Sequence, residues 1–110
     1  MQLIDRNALL QRLDQVTLVE ALPEKYYRDG HLPRARHLPH DQVRQLAASV
    51  LPDKAAEVVV YCASATCQNS HIAAKVLEQL GYTNVAVYAG GKRDWQEAGL
   101  ALEEGEVIGA

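Results

Sequence analysis

The two cysteines, Cys62 and Cys67, are the residues of this chain best suited to covalent chemistry, and they lie in one short segment. The run Val58-Val59-Val60-Tyr61 is apolar and mostly β-branched, stops at Cys62, and passes through Ala63-Ser64-Ala65-Thr66-Cys67-Gln68-Asn69 to Ser70. Such a run reads as a buried strand, the small polar residues as a loop, and the amphipathic stretch after Ser70 as a helix. This layout puts the Cys62 sulfur at the C-terminal edge of a strand, facing the positive end of the next helix. Helix N-termini favour thiolates, so Cys62 is the candidate nucleophile. A free cysteine is also a common core residue. The position before a loop and a helix start favours the functional reading.

Other chemistries fit less well. A metal set of Cys62, Cys67 and His71 has the spacing Cys-x4-Cys-x3-His, lacks a fourth ligand in the same segment, and matches no usual zinc pattern. No metal and no cofactor is therefore expected. His31 lies in a Gly-His-x-Pro turn, where a structural hydrogen bond is the simpler role. His37, His40 and His71 read as surface or capping residues. A Cys-His nucleophile pair needs one of them beside Cys62, which spacing alone does not establish. Gly90-Gly91 is a weak phosphate signal without the rest of a nucleotide motif.

The elements that must position Cys62 follow from periodicity and punctuation. Residues 5–15 read as a helix with Asp5 as N-cap and Leu9, Leu10 and Leu13 on one face. Residues 17–21 read as a short buried strand, and Pro23 starts a helical turn through Tyr26 and Tyr27 that Gly30 ends. Residues 30–39 contain two prolines and read as a turn with a short extended piece. A helix over about residues 41–50 carries Val43, Leu46, Ala47 and Val50 on its apolar stripe. Residues 57–61 form the strongest strand. A helix capped by Ser70 runs to Leu80, with Ile72, Ala73, Val76, Leu77 and Leu80 buried and Gly81 as its C′ residue. Residues 85–88 form another strand, and Gly90-Gly91 precedes a last helix in which Trp95 packs into the core. Residues 103–110 read as a loose tail. Strands alternating with helices over short connections imply a parallel sheet covered on both faces, with functional groups at the strands' carboxyl ends.

Composition bounds the function. The 110 residues suit a single domain over residues 1–110, with an aliphatic core because phenylalanine is absent. A net charge of −3 and no basic run longer than two residues argue against a nucleic-acid or anionic-membrane partner. No secretory signal and no membrane span is expected, and a cytoplasmic location follows as the default, where paired cysteines are more often redox-active than structural.

Three segments, taken in order, carry a family resemblance. Tyr27-Arg28-Asp29-Gly30-His31-Leu32-Pro33-Arg34-Ala35 is similar to Y-x-x-G-H-I-P-G-A, and the strand ending at Cys62 is the second segment. Leu80-Gly81-Tyr82-Thr83-Asn84-Val85 with Gly90-Gly91-Lys92-Arg93-Asp94-Trp95-Gln96-Glu97-Ala98-Gly99 resembles L-G-Y-x-x-V…G-G-x-x-x-W-x-x-A-G. Over residues 17–102 the chain resembles a single-domain rhodanese-like sulfurtransferase. The resemblance implies an α/β fold with a five-stranded parallel sheet flanked by helices on both faces. It also implies transfer of sulfane sulfur from a small donor such as thiosulfate, through a Cys62 persulfide, to a thiol or cyanide acceptor or a protein acceptor. The loop residues Ala63, Ser64, Ala65, Thr66, Gln68, Asn69 and Ser70 would then bind substrate, with the backbone amides of residues 63–68 as an anion cradle.

The chain departs from the family at three places. Active members carry Asp-x-Arg at the end of the second strand, where this chain has Glu20-Ala21-Leu22, and Arg34 replaces a small residue. The family's loop carries Arg or Lys near its end, where this chain has Cys67 and no charge from Ala63 to Asn69. Without an arginine to hold a phosphate-like anion, phosphatase chemistry is not expected. Cys67 is an incidental loop residue, a resolving or regulatory thiol, or the sulfur carrier itself. The alternative to catalysis is a binding or sulfur- and redox-sensing module that uses both cysteines.

Overall fold

The computed structural model describes residues 1–105. Strands β1 (Gln2–Ile4), β2 (Thr17–Glu20), β3 (Arg36–His37), β4 (Val58–Tyr61) and β5 (Val85–Tyr88) form one sheet in the order β1-β5-β4-β2-β3. Every pairing is parallel. Helices α1 (Arg6–Gln11), α2 (Glu24–Asp29), α3 (Val43–Val50), α4 (Asn69–Gln79) and α5 (Gly91–Glu97) connect and cover it. This is the α/β arrangement expected.

β4 occupies the centre of the sheet and all its residues are buried, which is why it reads as an unbroken apolar run rather than an alternating one. Its alternate side chains enter two separate cores. Val58 and Val60 pack with Val43, Ala47 and Val50 of α3 and with Ala73, Ala74 and Leu77 of α4. Val59 and Tyr61 pack on the other face with Leu9 of α1, Tyr27 of α2 and Trp95 of α5. The two-residue period of a strand then turns the next residue, Cys62, toward the α3/α4 side. In register, one row across the sheet reads Ile4, Tyr88, Tyr61, Glu20, His37.

Several local readings are corrected. β1 has no sequence signature because its three residues lie on an edge, with Leu3 65% exposed. α1 stops at Gln11, and Leu10 is exposed rather than sharing the buried face of Leu9. Asp5 does cap it, its carboxylate accepting from Ala8 N at 2.9 Å. In α4 the cap is Gln68, and Ser70 lies inside the helix. Ala74, not Ile72, completes the buried face, and Ile72 is exposed. Gly81 closes the helix at φ 98°, in the left-handed region that favours glycine. Trp95 is buried and donates from Nε1 to Ala101 O at 2.9 Å.

Part of the predicted loose tail is bound. Glu103 and His31 exchange two backbone hydrogen bonds of 2.8 Å, and Gly105 N donates to Arg28 O. The rest of that tail, residues 106–110, lies outside the described residues.

Candidate active site

Cys62 follows the last residue of β4 and is only 1% exposed. Its sulfur is bonded to that of Cys67, with Cα atoms 6.3 Å apart. A turn makes this closure possible, since Cys67 N donates to Ser64 O at 3.1 Å and folds the loop back on itself. Ser70 Oγ lies 3.4 Å from Cys62 Sγ and is buried with it. Ser70 therefore gives up the capping role its type suggests and sets a hydroxyl against the sulfur instead.

The far side of the loop is clamped by α5. Lys92 N donates to Cys62 O at 3.0 Å and Arg93 N to Ala63 O at 2.9 Å. Trans peptide geometry turns the following N–H groups, those of Ala63 and Ser64, the opposite way. Among the described residues, the amides of Ala63, Ser64, Ala65, Thr66 and Gln68 have no intramolecular acceptor, whereas that of Cys67 is bound. Gly91 is required by this clamp. It sits at φ 65°, and a Cβ there would lie 2.5 Å from Cys62 O.

Beneath the loop lies a charged cluster that spacing alone does not reveal. Glu20, at the end of β2 and 0% exposed, accepts from Tyr61 Oη at 2.8 Å through Oε1. Lys92 Nζ lies 2.9 Å from Glu20 Oε2 as an ion pair and donates to Tyr26 O at 2.7 Å. Tyr61 Oη also accepts from Leu32 N at 3.0 Å, tying the Gly-His-x-Pro turn to β4. Burial raises the Glu20 carboxyl above its usual 4.5, and Lys92 opposes that shift. Burial likewise raises the Tyr61 hydroxyl well above 10, reinforced by the Glu20 charge. The clue available in sequence was a glutamate between Val19 and Ala21 in an apolar strand, with Lys92 beside the helix glycines.

The histidines and arginines take supporting places. His31 stacks on Tyr27 at 3.9 Å between ring centres, its Nδ1 2.9 Å from Tyr27 O, as the turn suggested. His37 is buried rather than superficial, with Nε2 2.6 Å from Leu22 O. Arg34 and Arg36 line a groove with Leu13, Asp14 and Thr17 rather than with the Cys62 loop, and the Arg36 guanidinium donates to Val50 O at 2.6 Å. The cation near the loop is instead Arg93, which lines a groove of about 330 Å³ with Ser64, Ala65 and Thr66. Its guanidinium pairs with Glu97 at 3.4 Å.

A buried cysteine ending the central strand, under a loop of open amides, meets a family match that covers most of the chain. The profile of the rhodanese-like domain matches residues 5–98. The chain belongs to the rhodanese-like domain family. It is 32% identical over 108 residues to the HTH-type transcriptional regulator Rv0324 of Mycobacterium tuberculosis, covering 96% of this chain and 46% of that protein. It is 36% identical over 73 residues to thiosulfate sulfurtransferase PspE of Escherichia coli, covering 66% of each. The chain thus spans about half of the first relative and just under two thirds of the second. Among solved structures it is similar to a rhodanese with anions from E. coli, at 28% identity and a TM-score of 0.67, covering 81% of this chain and 98% of that one. No helix among the described residues is long and apolar enough to cross a membrane.

Proposed function

We propose that this rhodanese-like domain transfers sulfane sulfur through a persulfide on Cys62. The observation that carries the reading is the Cys62 sulfur itself, held beside Ser70 Oγ at 3.4 Å at the end of the central strand, under a loop whose amides at 63–66 and 68 lack internal acceptors. The reduced Cys62 thiolate attacks the outer sulfur of thiosulfate. The S–S bond of the donor breaks, sulfite leaves with its electron pair, and Cys62 keeps the outer sulfur. The open amides and the Ser70 hydroxyl offer donors to the anionic persulfide without any charge in the loop. An acceptor thiolate or cyanide then takes the outer sulfur and returns Cys62 to the thiolate. The similarity to a thiosulfate sulfurtransferase supports this donor class.

The test is sulfite release. Reduced protein mixed with thiosulfate should release one equivalent of sulfite per chain, and Cys62→Ser should release none. Equal release by Cys62→Ser contradicts the assignment.

A second reading, a sulfur- or redox-sensing module, is favoured by the Cys62–Cys67 bond and by the similarity to a transcriptional regulator. In that reading the chemistry at Cys62 is the same, and its product alters binding to a protein rather than feeding an acceptor. Reduced protein that loads sulfur but does not pass it to thiols or cyanide would support sensing.

A further inference from the structure

Cys67 stands where the family's loop carries a cation, and the protein bonds its sulfur directly to Cys62. The Cα separation of 6.3 Å falls in the ordinary disulfide span of roughly 4.4–6.8 Å, so the backbone of this loop already brings the two sulfurs together. The amide of Cys67, donating to Ser64 O at 3.1 Å, belongs to the turn that holds it there. Cys62 Sγ forms one bond besides that to its own Cβ, so its bond to Cys67 and a bond to sulfane sulfur are mutually exclusive. Cys62 is buried while Cys67 is half-buried. A nucleophile from within the loop therefore has better access to the inner sulfur than one from solution.

We propose that Cys67 discharges the Cys62 persulfide as free sulfide, so that the domain reduces sulfane sulfur as well as passing it on. This rests on the reading of Cys62 as the persulfide carrier. Cys67 attacks Cys62 Sγ, the inner sulfur, as its thiol proton passes to the outer sulfur of the persulfide anion. A Cys62–Cys67 bond forms, the bond to the outer sulfur breaks, and the outer sulfur leaves as HS⁻ with the electron pair. In this step the outer sulfur gains one electron formally and the Cys67 sulfur loses one, while the Cys62 sulfur stays at the disulfide level it had in the persulfide. No outside oxidant is consumed. Hydrosulfide is a good leaving group for such an exchange, because low-pKa thiols leave fastest. A dithiol, or two equivalents of a small thiol, then reduces the disulfide at the accessible Cys67 and restores the cycle. External acceptors compete for the outer sulfur, so their concentration sets the division between transfer and discharge.

The experiment uses the full chain, fully reduced, desalted, free of oxygen and metal, and mixed with thiosulfate. Wild-type protein should release one equivalent each of sulfite and sulfide, lose both thiols, and end lighter than the reduced chain by two hydrogen atoms. Cys67→Ser should release sulfite, gain the mass of one sulfur atom, hold it, and release no sulfide until a thiol is added. Wild-type protein that releases sulfite but keeps its persulfide beside a free Cys67 overturns this inference alone. Protein that releases no sulfite in either form overturns the Cys62 reading and this inference with it.

Discussion

The loop above Tyr61 and the cluster beneath it lie only a few residues apart along β4 and are built on opposite plans. The loop of residues 63–69 has no charge, several amides without internal partners, and a disulfide as its main constraint. The cluster of Glu20, Tyr61, Lys92 and Leu32 N is charged, buried and closely hydrogen-bonded. One region leaves amide donors without internal partners, and the other pairs its polar groups with one another at the end of the sheet. Lys92 joins them, because its amide holds Cys62 O while its ammonium meets Glu20. Changes in the cluster should therefore cost stability, whereas changes in the loop should cost chemistry.

The largest effect is expected at Glu20. Glu20→Ala leaves the Lys92 ammonium, 12% exposed, without its carboxylate and should lower unfolding stability by about 3–5 kcal/mol in urea titration. A loss below about 1 kcal/mol would mean that the cluster does not support the sheet end. Gly91→Ala should cost about 2–4 kcal/mol, from left-handed backbone strain and the clash with Cys62 O, and should slow sulfite release as well. It is the substitution in which both plans fail together. Ser70→Ala is the loop's own test. It should slow sulfite release about tenfold, the effect of losing one hydrogen bond to a charged sulfur, and leave urea unfolding nearly unchanged.

The smallest effect is a pH dependence. Burial holds the Glu20 carboxyl above 4.5, so between that value and the raised one the folded chain binds its proton more tightly than the unfolded chain does. Its contribution to stability is then fullest below pH 4.5 and is lost as the pH rises through the raised value. Glu20→Gln should remove that part of the decline, measured as urea midpoint against pH. An unchanged profile would place the titration elsewhere.

The division between the two regions also explains what the sequence disclosed. β4 and Cys62 were legible because a buried central strand must be apolar throughout and a loop must interrupt it. The order of the three family segments was legible for the same local reasons. β1 was not, since three residues on a sheet edge carry almost no pattern. Ser70 was read as a cap because serine favours helix starts, and only tertiary packing shows that its hydroxyl faces a sulfur. The Glu20–Lys92 pair joins residues far apart in sequence, which no local period encodes. Cys67 was legible as a residue, with its role left open, and its sulfur is bonded to Cys62.

The most direct test of the account is the intact mass of reduced Cys67→Ser protein after oxygen-free exposure to thiosulfate, with the modified peptide then located. The expected result is a gain of one sulfur atom on the peptide carrying Cys62, absent when Cys62 is also changed to serine. An unchanged mass, or a sulfur atom found on any other peptide, would contradict it.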